Sequence, residues 1–470
     1  MSRKIKIIIF GGSGHWAEQS HYPAIISLKN KGVDVRVVAI CDPVDPYNTK
    51  SSEYALGRSS LKTILEADNP QWINPSSLTD QELLDQISSL NEAESIDVAI
   101  ISTNPTYHFK YSLWAAKNNI ALICDKPLVV APDASWRTEQ ALETNRSFDQ
   151  LVEAINDSSL SPHQAFVVPL RRRSLKPFTQ IAKEIGSAYE TFNQPITSMN
   201  VVVNGGVHRY PKEFLKGGAH GFLDGIGALS HSSYHYLDVI AWYIMLAPSD
   251  IKKVGVTVQY VRRVRDYLKS GAYRQLMNLN DEQSEVEVAT LPDSVLNAEL
   301  DFCLHFTFYD NEDLPISDVN YIYTSTSFSP RNAKFSADIL DHANSKGGGR
   351  MSQIFMDIHQ GVLQNWQLIK NDEVFDGNEI EVTHRSHPKV GLKSERLIYD
   401  DAYEKSSTPK NLVEDFLLGS EATSSTDKDL QDIHSQRLSQ KLFSIAYLKI
   451  AEEFEGDSKE RIFDISKLLD

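Results

Sequence analysis

A lysine that follows a buried apolar segment is the first candidate for chemistry in this sequence. Lys126 stands between Asp125 and Pro127, directly after the apolar run 120–124, which we interpret as a strand. In an open parallel sheet, ligands bind outside the carboxyl ends of the strands, so Lys126 is placed where chemistry is usual. Partial desolvation and a nearby cationic cofactor ring can lower the pKa of a lysine towards neutrality, so that it carries a proton. The alternative is a solvated lysine that closes a strand.

A glycine-rich turn near the N-terminus predicts a nucleotide site. Gly12, Gly14 and Ala17 follow the apolar run 4–10 and fit the G-x-G-x-x-G/A fingerprint. The first glycine makes the tight turn, and the second lets backbone N–H groups approach a pyrophosphate. Asp42 ends the next predicted strand, where a carboxylate accepts hydrogen bonds from ribose hydroxyls and repels a 2′-phosphate. We therefore predict NAD, with NADP less favoured, bound by Gly12, Ser13, Gly14, His15, Trp16 and Asp42. A Rossmann-like domain without a cofactor is the alternative.

The order of the predicted elements indicates an α/β protein with two domains. Residues 1–172 alternate apolar strands and helical patterns, which predicts an N-terminal Rossmann domain with a doubly wound parallel sheet. Residues 43–95 are polar and irregular, with one helix predicted near 81–90. Residues 173–470 predict an α+β domain for substrate binding and oligomerisation. Alternating segments between 254 and 368 predict its large open, mostly antiparallel sheet.

The composition excludes several classes of partner. A formal net charge of −16 over 470 residues argues against a nucleic-acid or anionic-membrane surface. No apolar run approaches the roughly 20 residues of a membrane span, and no signal-peptide pattern follows Met1, so we expect a cytoplasmic protein. The three cysteines are too few for a disulfide framework or a zinc cluster. The basic run Arg171, Arg172 and Arg173 is interpreted as a solvated or salt-bridged edge rather than a substrate or cofactor contact.

Three segments resemble the glucose–fructose oxidoreductase/inositol dehydrogenase (Gfo/Idh/MocA) family. They are the glycine turn followed by HYPAI, the segment IDVAIISTNPTYHFKYSLWAAKNNIALICDKPL, and a later H-Y-L-D. The resemblance implies oxidation or reduction of a hydroxyl or ketone of a sugar, cyclitol or related compound with NAD(P). The family's E-K-P motif appears as Asp125-Lys126-Pro127, and its T-P element with a following histidine falls on Asn104-Pro105 and His108. The resemblance adds as cofactor-binding residues Thr103, Asn104, Pro105, His108, Asp125 and Lys126.

The family's catalytic helix carries D-x-x-x-H, and here the matching residues are His231 and His235. If the helix began before Asp224, that carboxylate would share their face. We assign His235 as general base and Lys126 as substrate-orienting proton relay, and the two roles could be exchanged. His231 either binds a substrate hydroxyl, poises His235, or is structural. A metal clip with His208 or His220 is the less favoured alternative, and we predict no metal.

The leading functional prediction is an NAD-dependent oxidoreductase acting on a small polyhydroxylated substrate. The alternatives are a non-catalytic NAD-binding regulatory protein of the same fold, favoured by the change to His231, and an NAD-assisted glycoside-cleaving enzyme. The family includes one such regulator, the yeast galactose-pathway corepressor. In the second domain, Val258, Tyr260, Phe306 and Tyr321 predict an apolar outer sheet face, so we expect a homodimer or homotetramer.

Overall fold

The first sheet is built from strands that are buried on both faces. In β1 (Ile5–Phe10), the side chains of Ile7, Ile8, Ile9 and Phe10 are all 0% exposed, as expected for a central parallel strand. The computed structural model describes residues 4–14, 16–44, 59–160, 165–205, 211–215, 221–248, 250–279, 288–326, 353–370, 379–390, 393–400, 407–419, 431–457 and 461–469.

Within these residues, the first sheet has six parallel strands in the order β3-β2-β1-β4-β5-β6. This is the strand order of dinucleotide-binding folds. All the carboxyl ends lie at one edge, because the strands are parallel. The remaining strands are β2 (Val35–Cys41), β3 (Gln71–Ile73), β4 (Val98–Ile101), β5 (Ala121–Cys124) and β6 (Phe166–Val167).

Helices connect these strands. They are α1 (Tyr22–Asn30), α2 (Ser59–Asp68), α3 (Asp80–Glu94), α4 (His108–Lys117) and α5 (Thr138–Asn156). The prediction of a single helix within 43–95 was wrong, because the structure also contains α2 and β3. The start of α2 could not be recognised from neighbouring residues, because its cap comes from a distant one. The Ser60 and Leu61 N–H groups donate to the carboxylate of Glu18, which is about forty residues earlier in the chain.

In the described part of the chain, the second sheet has nine strands in the order β14-β13-β12-β11-β7-β10-β9-β8-β15. The pair β7–β10 is parallel and the other pairs are antiparallel. The predicted fold class is therefore confirmed. The strands are β7 (Ser198–Asn204), β8 (Lys253–Arg263), β9 (Glu299–Tyr309), β10 (Pro315–Thr324), β11 (Gln353–Gln360), β12 (Gln364–Lys370), β13 (Glu379–Ser386), β14 (Glu395–Asp400) and β15 (Ile462–Asp464).

Three long helices that follow β6 in the chain are α6 (Lys176–Phe192), α8 (Tyr234–Leu246) and α13 (Arg437–Glu455). The rings of Tyr234 on α8 and Phe443 on α13 pack edge to face, with centroids 5.2 Å apart. The shorter helices are α7 (Pro211–Phe214), α9 (Val264–Lys269), α10 (Gly271–Leu279), α11 (Asp293–Asn297) and α12 (Ser407–Leu417). No helix among the described residues is both long and apolar enough to cross a membrane.

The faces of the second sheet differ from the expected pattern. Phe306 and Tyr321 are 0% exposed and belong to the core, so their assignment to an apolar outer face was wrong. Tyr260 is 41% exposed, as predicted for the outer face. The outer face of β9 and β10, however, carries polar side chains such as His305 and Asp318, whose Nε2 and carboxylate oxygen lie 2.6 Å apart. A one-residue change of register exchanges the two faces of a strand, and apolar residues alone do not define which face is covered.

The chain forms two compact units, and each contains several chain segments. The first unit consists of residues 1–129, 146–171 and 405–436, and the second of 130–145, 172–404 and 437–470. Helix α12 belongs to the first unit because Val413 and Leu417 join the core that contains Tyr22 and Leu28 of α1. The division into domains 1–172 and 173–470 stays a prediction.

Candidate functional site

The tight turn after β1 is made by Gly11. The prediction assigned this turn to Gly12, the first glycine of the fingerprint, one residue later. Gly11 has φ +82°, and its N–H donates to the Cys41 carbonyl at 2.9 Å. A Cβ on Gly11 would overlap the carbonyl group of Ser102. A left-handed conformation beside a neighbouring backbone requires glycine. The turn is thus packed against the residue that follows β4.

Gly12 and Gly14 allow the rest of this turn to pack closely. The Tyr22 hydroxyl donates to the Gly12 carbonyl at 2.8 Å, and Gly14 N–H donates to the Gly11 carbonyl at 3.2 Å. A Cβ on Gly14 would lie 3.1 Å from the Gly11 oxygen. Trp16 is half-buried at the start of the next turn, and His15 lies outside the described residues. The cradle fits a dinucleotide, since a backbone turn without side chains is what a pyrophosphate approaches.

We expect Gly12→Ala to lower the free energy of unfolding by about 1–3 kcal/mol, the usual cost of overpacking. The added methyl group would lie 2.5 Å from both the Tyr22 hydroxyl and the Ile40 side chain. Gly186→Ala is the matched control, since a Cβ there meets nothing within 4 Å and the residue lies in α6. It should raise stability by about 0.5–1 kcal/mol through helix propensity. Urea unfolding of both variants tests the difference in sign, and equal effects would contradict it.

Asp42 closes the glycine turn onto the end of β2. Its carboxylate accepts hydrogen bonds from the N–H of Ser13 at 2.9 Å, from the Ser13 hydroxyl at 2.7 Å and from the Val44 N–H at 2.8 Å. The residue is 3% exposed. Asp42 and Ser13 are therefore brought together, as expected for two residues of one nucleotide site at the carboxyl edge of the sheet.

The turn with Lys126 is fixed through Asp125, which follows β5. One carboxylate oxygen of Asp125 accepts from the Ser102 hydroxyl at 2.6 Å, and the other lies 3.2 Å from Nε2 of His21. Burial opposes ionisation of Asp125, but the charge and hydrogen bond of His21, with the Ser102 hydrogen bond, outweigh it and hold the pKa of Asp125 below its ordinary value. Lys126 is half-buried, and the bond to Pro127 is cis.

His108 fixes the other side of this turn. Its Nδ1 lies 2.7 Å from the Pro127 carbonyl oxygen and its Nε2 lies 3.1 Å from that of Thr103. The ring is 0% exposed, and burial lowers the pKa of His108. The Asn104 side chain accepts from the Thr106 N–H and begins the short 3-10 turn Pro105–Tyr107. His108 therefore joins the loops after β4 and β5 from inside the protein.

The described structure contains two π-helical turns, and both lie in candidate functional segments. Ala17–His21 follows the glycine turn, and Leu229–Ser233 contains His231 and leads into α8 with His235. Single π turns are rare and often lie at functional sites. His21 and Ser102 were missed as site residues by sequence reasoning, although His21 is the first residue of the HYPAI motif.

The helix with the two histidines does not include Asp224. This residue ends a separate 3-10 turn, Phe222–Asp224, between Gly221 and Gly225, which both have positive φ. The interpretation in which Asp224 shares a helix face with His231 and His235 was therefore wrong. Both histidines are half-buried, and Nδ1 of His231 lies 2.8 Å from the Ser232 hydroxyl.

Buried polar groups hold both ends of the second π turn. The Leu229 N–H donates to the Glu299 carboxylate at 2.8 Å, and the Tyr447 hydroxyl donates to the same oxygen at 3.1 Å. Burial raises the pKa of Glu299. At the other end, the Tyr321 hydroxyl donates to the Ser233 carbonyl at 2.7 Å. The backbone that carries His231 is thus fixed by side chains from β9, β10 and α13.

Of the two alternatives predicted for the arginine run, a solvated or a salt-bridged edge, Arg173 shows the salt-bridged one, in the interior of the protein. Arg173 makes two hydrogen bonds to Asp238 of α8, at 2.7 and 3.0 Å, and both side chains are fully buried. Arg172 donates to the Tyr236 hydroxyl at 2.7 Å. These arginines therefore support the helix that carries His235. His208 and His220 lie outside the described residues, and within those residues no three His, Cys, Asp or Glu side chains are grouped to hold a metal.

Comparisons with known proteins identify the N-terminal part of the chain. The model of the oxidoreductase family with an NAD-binding Rossmann fold matches residues 5–148. No curated protein matches the chain.

Solved structures show the fold at low identity. A super-repressor mutant of Gal80p from Saccharomyces cerevisiae is 12% identical, covers 100% of this chain and 99% of its own, and has a TM-score of 0.55. A putative oxidoreductase from Thermotoga maritima is 14% identical, with coverages of 98% and 100% and a TM-score of 0.52. Levoglucosan dehydrogenase in complex with NADH is 13% identical, with coverages of 98% and 99% and a TM-score of 0.52. Residues 5–148 therefore match the model of the Gfo/Idh/MocA oxidoreductase family, the family that the motifs of this segment resemble.

Proposed function

We propose that this protein is an NAD-dependent oxidoreductase that transfers a hydride between nicotinamide and a hydroxyl or keto carbon of a sugar, cyclitol or glycoside. The observation that supports it most is the carboxyl edge of the first sheet. There the Gly11–Gly14 turn follows β1, Asp42 follows β2, and Lys126 follows β5 next to the Asp125 carboxylate that Ser102 holds. This edge is where nucleotides and substrates bind in such folds.

The cofactor site would use the glycine cradle with Ser13 and Trp16, and the loop after β4 with Thr103 to Pro105. Asp42 is itself buried and holds the Ser13 and Val44 groups, so it would act by fixing the cradle and by its charge, which would repel the 2′-phosphate of NADP. When bound, NAD supplies the nicotinamide carbon that takes or gives the hydride. His108 and Asp125 are buried or engaged with protein groups, so we assign them to holding the loops rather than to direct contact.

The proton of the reacting hydroxyl needs a base, and we propose His235 for this role, with Lys126 orienting the hydroxyl and relaying the proton. Histidine titrates near neutral pH, and a lysine ammonium can donate to a substrate oxygen or pass a proton on. His231 is assigned to binding a substrate hydroxyl. The roles of Lys126 and His235 are interchangeable in this scheme.

A non-catalytic regulatory protein is the second candidate. Two observations favour it. His231 stands where the family's catalytic helix carries an aspartate, and Asp224, the nearest carboxylate before it, lies outside that helix in a separate turn. One of the solved structures with this fold is that of the transcriptional regulator Gal80p. The intact Lys126 and His235 oppose this candidate.

The test is a nicotinamide absorbance assay with NAD⁺ and NADP⁺ against sugars, cyclitols and glycosides, with product analysis and NADH binding measured on the same protein. Turnover with NAD⁺ preferred supports the proposal. NADH binding without turnover on any substrate favours the regulator. Release of an aglycone with no net NADH indicates glycoside cleavage, and the absence of NADH binding would refute all three.

We further propose a cytoplasmic homodimer or homotetramer that binds small polyhydroxylated molecules and no nucleic acid. The net charge of −16 supports the last point, and Tyr260 on β8, which is exposed, would be one apolar contact of an interface. A monomer by light scattering at micromolar concentration would contradict the oligomer.

A further inference from the structure

His21 is a fully buried histidine for which the proposed chemistry has no use. It ends the π turn Ala17–His21, it is 0% exposed, and its Nε2 lies 3.2 Å from a carboxylate oxygen of Asp125. Asp125 directly precedes Lys126. The contact joins the segment after β1 to the segment after β5, which are separated by more than a hundred residues in the chain.

We propose that His21 is a positioning residue for Lys126, and that it acts by holding the Asp125 carboxylate from the protein interior. Lys126 is then fixed on both sides, by Asp125 before it and by the Pro127 carbonyl, which His108 contacts, after it. The contacts stand without any assumption about activity. Their consequence for turnover rests on the proposed function.

The chemistry of the pair agrees with this role. Asp125 is ionised, since its pKa is held below its ordinary value, and Nε2 of His21 must therefore donate its proton to the carboxylate. Hydrogen bonds to an ionised partner are stronger than those between neutral groups. The second carboxylate oxygen is held by Ser102, so the pair of contacts fixes the orientation of the whole carboxylate group.

A purely space-filling role explains His21 poorly. Nδ1 of the ring is buried and has no hydrogen-bond partner among the described residues. A buried polar atom without a partner costs free energy, so an apolar side chain would fill the same space at lower cost. The presence of a histidine at this buried position is explained if its Nε2 is needed as the hydrogen-bond donor to the Asp125 carboxylate.

The π turn is what brings the ring to Asp125. The Tyr22 N–H donates to the Ala17 carbonyl, five residues back, so the turn holds one residue more than an α-helical turn. Each residue in an α-helix rotates the side chain by about 100°. Without the extra residue, position 21 would face another direction.

The test compares His21→Gln with His21→Asn, because glutamine can place an amide N–H where Nε2 stands and asparagine is too short to reach it. Acetylation of Lys126 by acetic anhydride is measured by mass spectrometry, relative to Lys62, which is 72% exposed in the same molecule. We expect His21→Asn to raise acetylation of Lys126 about tenfold, the factor that one charge-assisted hydrogen bond contributes to a local opening equilibrium. His21→Gln should remain close to wild type.

Ser20→Ala is the matched control. Ser20 lies on the same π turn, is 2% exposed, and its hydroxyl has no partner in the described structure. This variant should leave the acetylation of Lys126 unchanged. Two results would overturn the proposal. One is wild-type acetylation of Lys126 in His21→Asn, and the other is an equal increase in His21→Asn, His21→Gln and Ser20→Ala. Circular dichroism confirms that each variant is folded before it is acetylated.

Acetylation requires neither cofactor nor substrate, so the two proposals can fail separately. If the wild-type protein shows no turnover but His21→Asn exposes Lys126, the positioning role holds and the enzyme proposal fails. If the wild-type protein turns over and His21→Asn acetylates like wild type, the enzyme proposal holds and the role of His21 fails.

Discussion

Replacing Lys126 by methionine should reduce kcat by about 10²- to 10⁴-fold, the usual contribution of a side chain that handles a proton. Methionine keeps the length and apolar stem of lysine but has no proton to give or take. The glycine turn and Asp42 are untouched, since they follow β1 and β2, so NADH should still bind even though the contact of Lys126 is lost. The measurements are the nicotinamide absorbance assay with the best substrate of the panel and a fluorescence titration with NADH.

The control for this substitution is Lys117→Met. Lys117 is the last residue of α4 and is exposed, on the helix that precedes β5. It should leave kcat unchanged. A Lys126→Met variant with wild-type kcat would remove Lys126 from the chemistry and leave His235 as the group that handles the proton.

The first sheet could be predicted from the sequence because its signals are local. The apolar runs that form β1, β4 and β5 are continuous, as strands buried on both faces require, and each ends in a turn residue such as Gly11 or Asp125. Parallel connection then places the carboxyl ends at one edge. The approximate position of Lys126 follows from these local facts alone.

The contacts that hold the site could not be predicted, because their partners are distant in the chain. His21 meets Asp125 across 104 residues, and Glu299 fixes Leu229 across 70. The tight turn falls on Gly11 rather than Gly12 because the Ser102 carbonyl packs against it, which no fingerprint encodes. These residue pairs depend on the register of neighbouring strands and on packing.

The start of the histidine helix shows the same limit. Helical spacing allowed this helix to begin before Asp224. Gly221 and Gly225, however, adopt left-handed conformations before and after the 3-10 turn that contains Asp224, so the turn is separate from the helix. The helical segment begins at Leu229, where the buried Glu299 carboxylate accepts its N–H. A π turn cannot be recognised from the hydrophobic period, because it differs from an α turn by one residue.

The buried pair of Arg173 and Asp238 is expected to be the largest single contribution to the rigidity of α8. Arg173→Met should lower the opening free energy of the α8 amides by about 3–5 kcal/mol, since it leaves a buried carboxylate without its cation. Ser439, which donates to the same carboxylate at 2.7 Å, is a neutral hydroxyl and does not replace the charge. Hydrogen exchange of the peptide 234–246 measures this opening directly and needs no two-state assumption for a chain of two units.

Arg396→Met separates burial from hydrogen-bond geometry in this prediction. Arg396 also makes two hydrogen bonds to one carboxylate, that of Glu381, at 2.6 and 2.8 Å, but its side chain is 66% exposed. In that variant, hydrogen exchange of the amides of β13 and β14, the strands that carry Glu381 and Arg396, should hardly change, because water replaces the lost partner of the carboxylate. The double variant Arg173→Met/Asp238→Leu should recover much of the protection in α8, since no charge is then left in the interior. If the double variant were as unprotected as Arg173→Met, lost packing rather than an uncompensated charge would explain the effect, and the support of His235 by this pair would be steric.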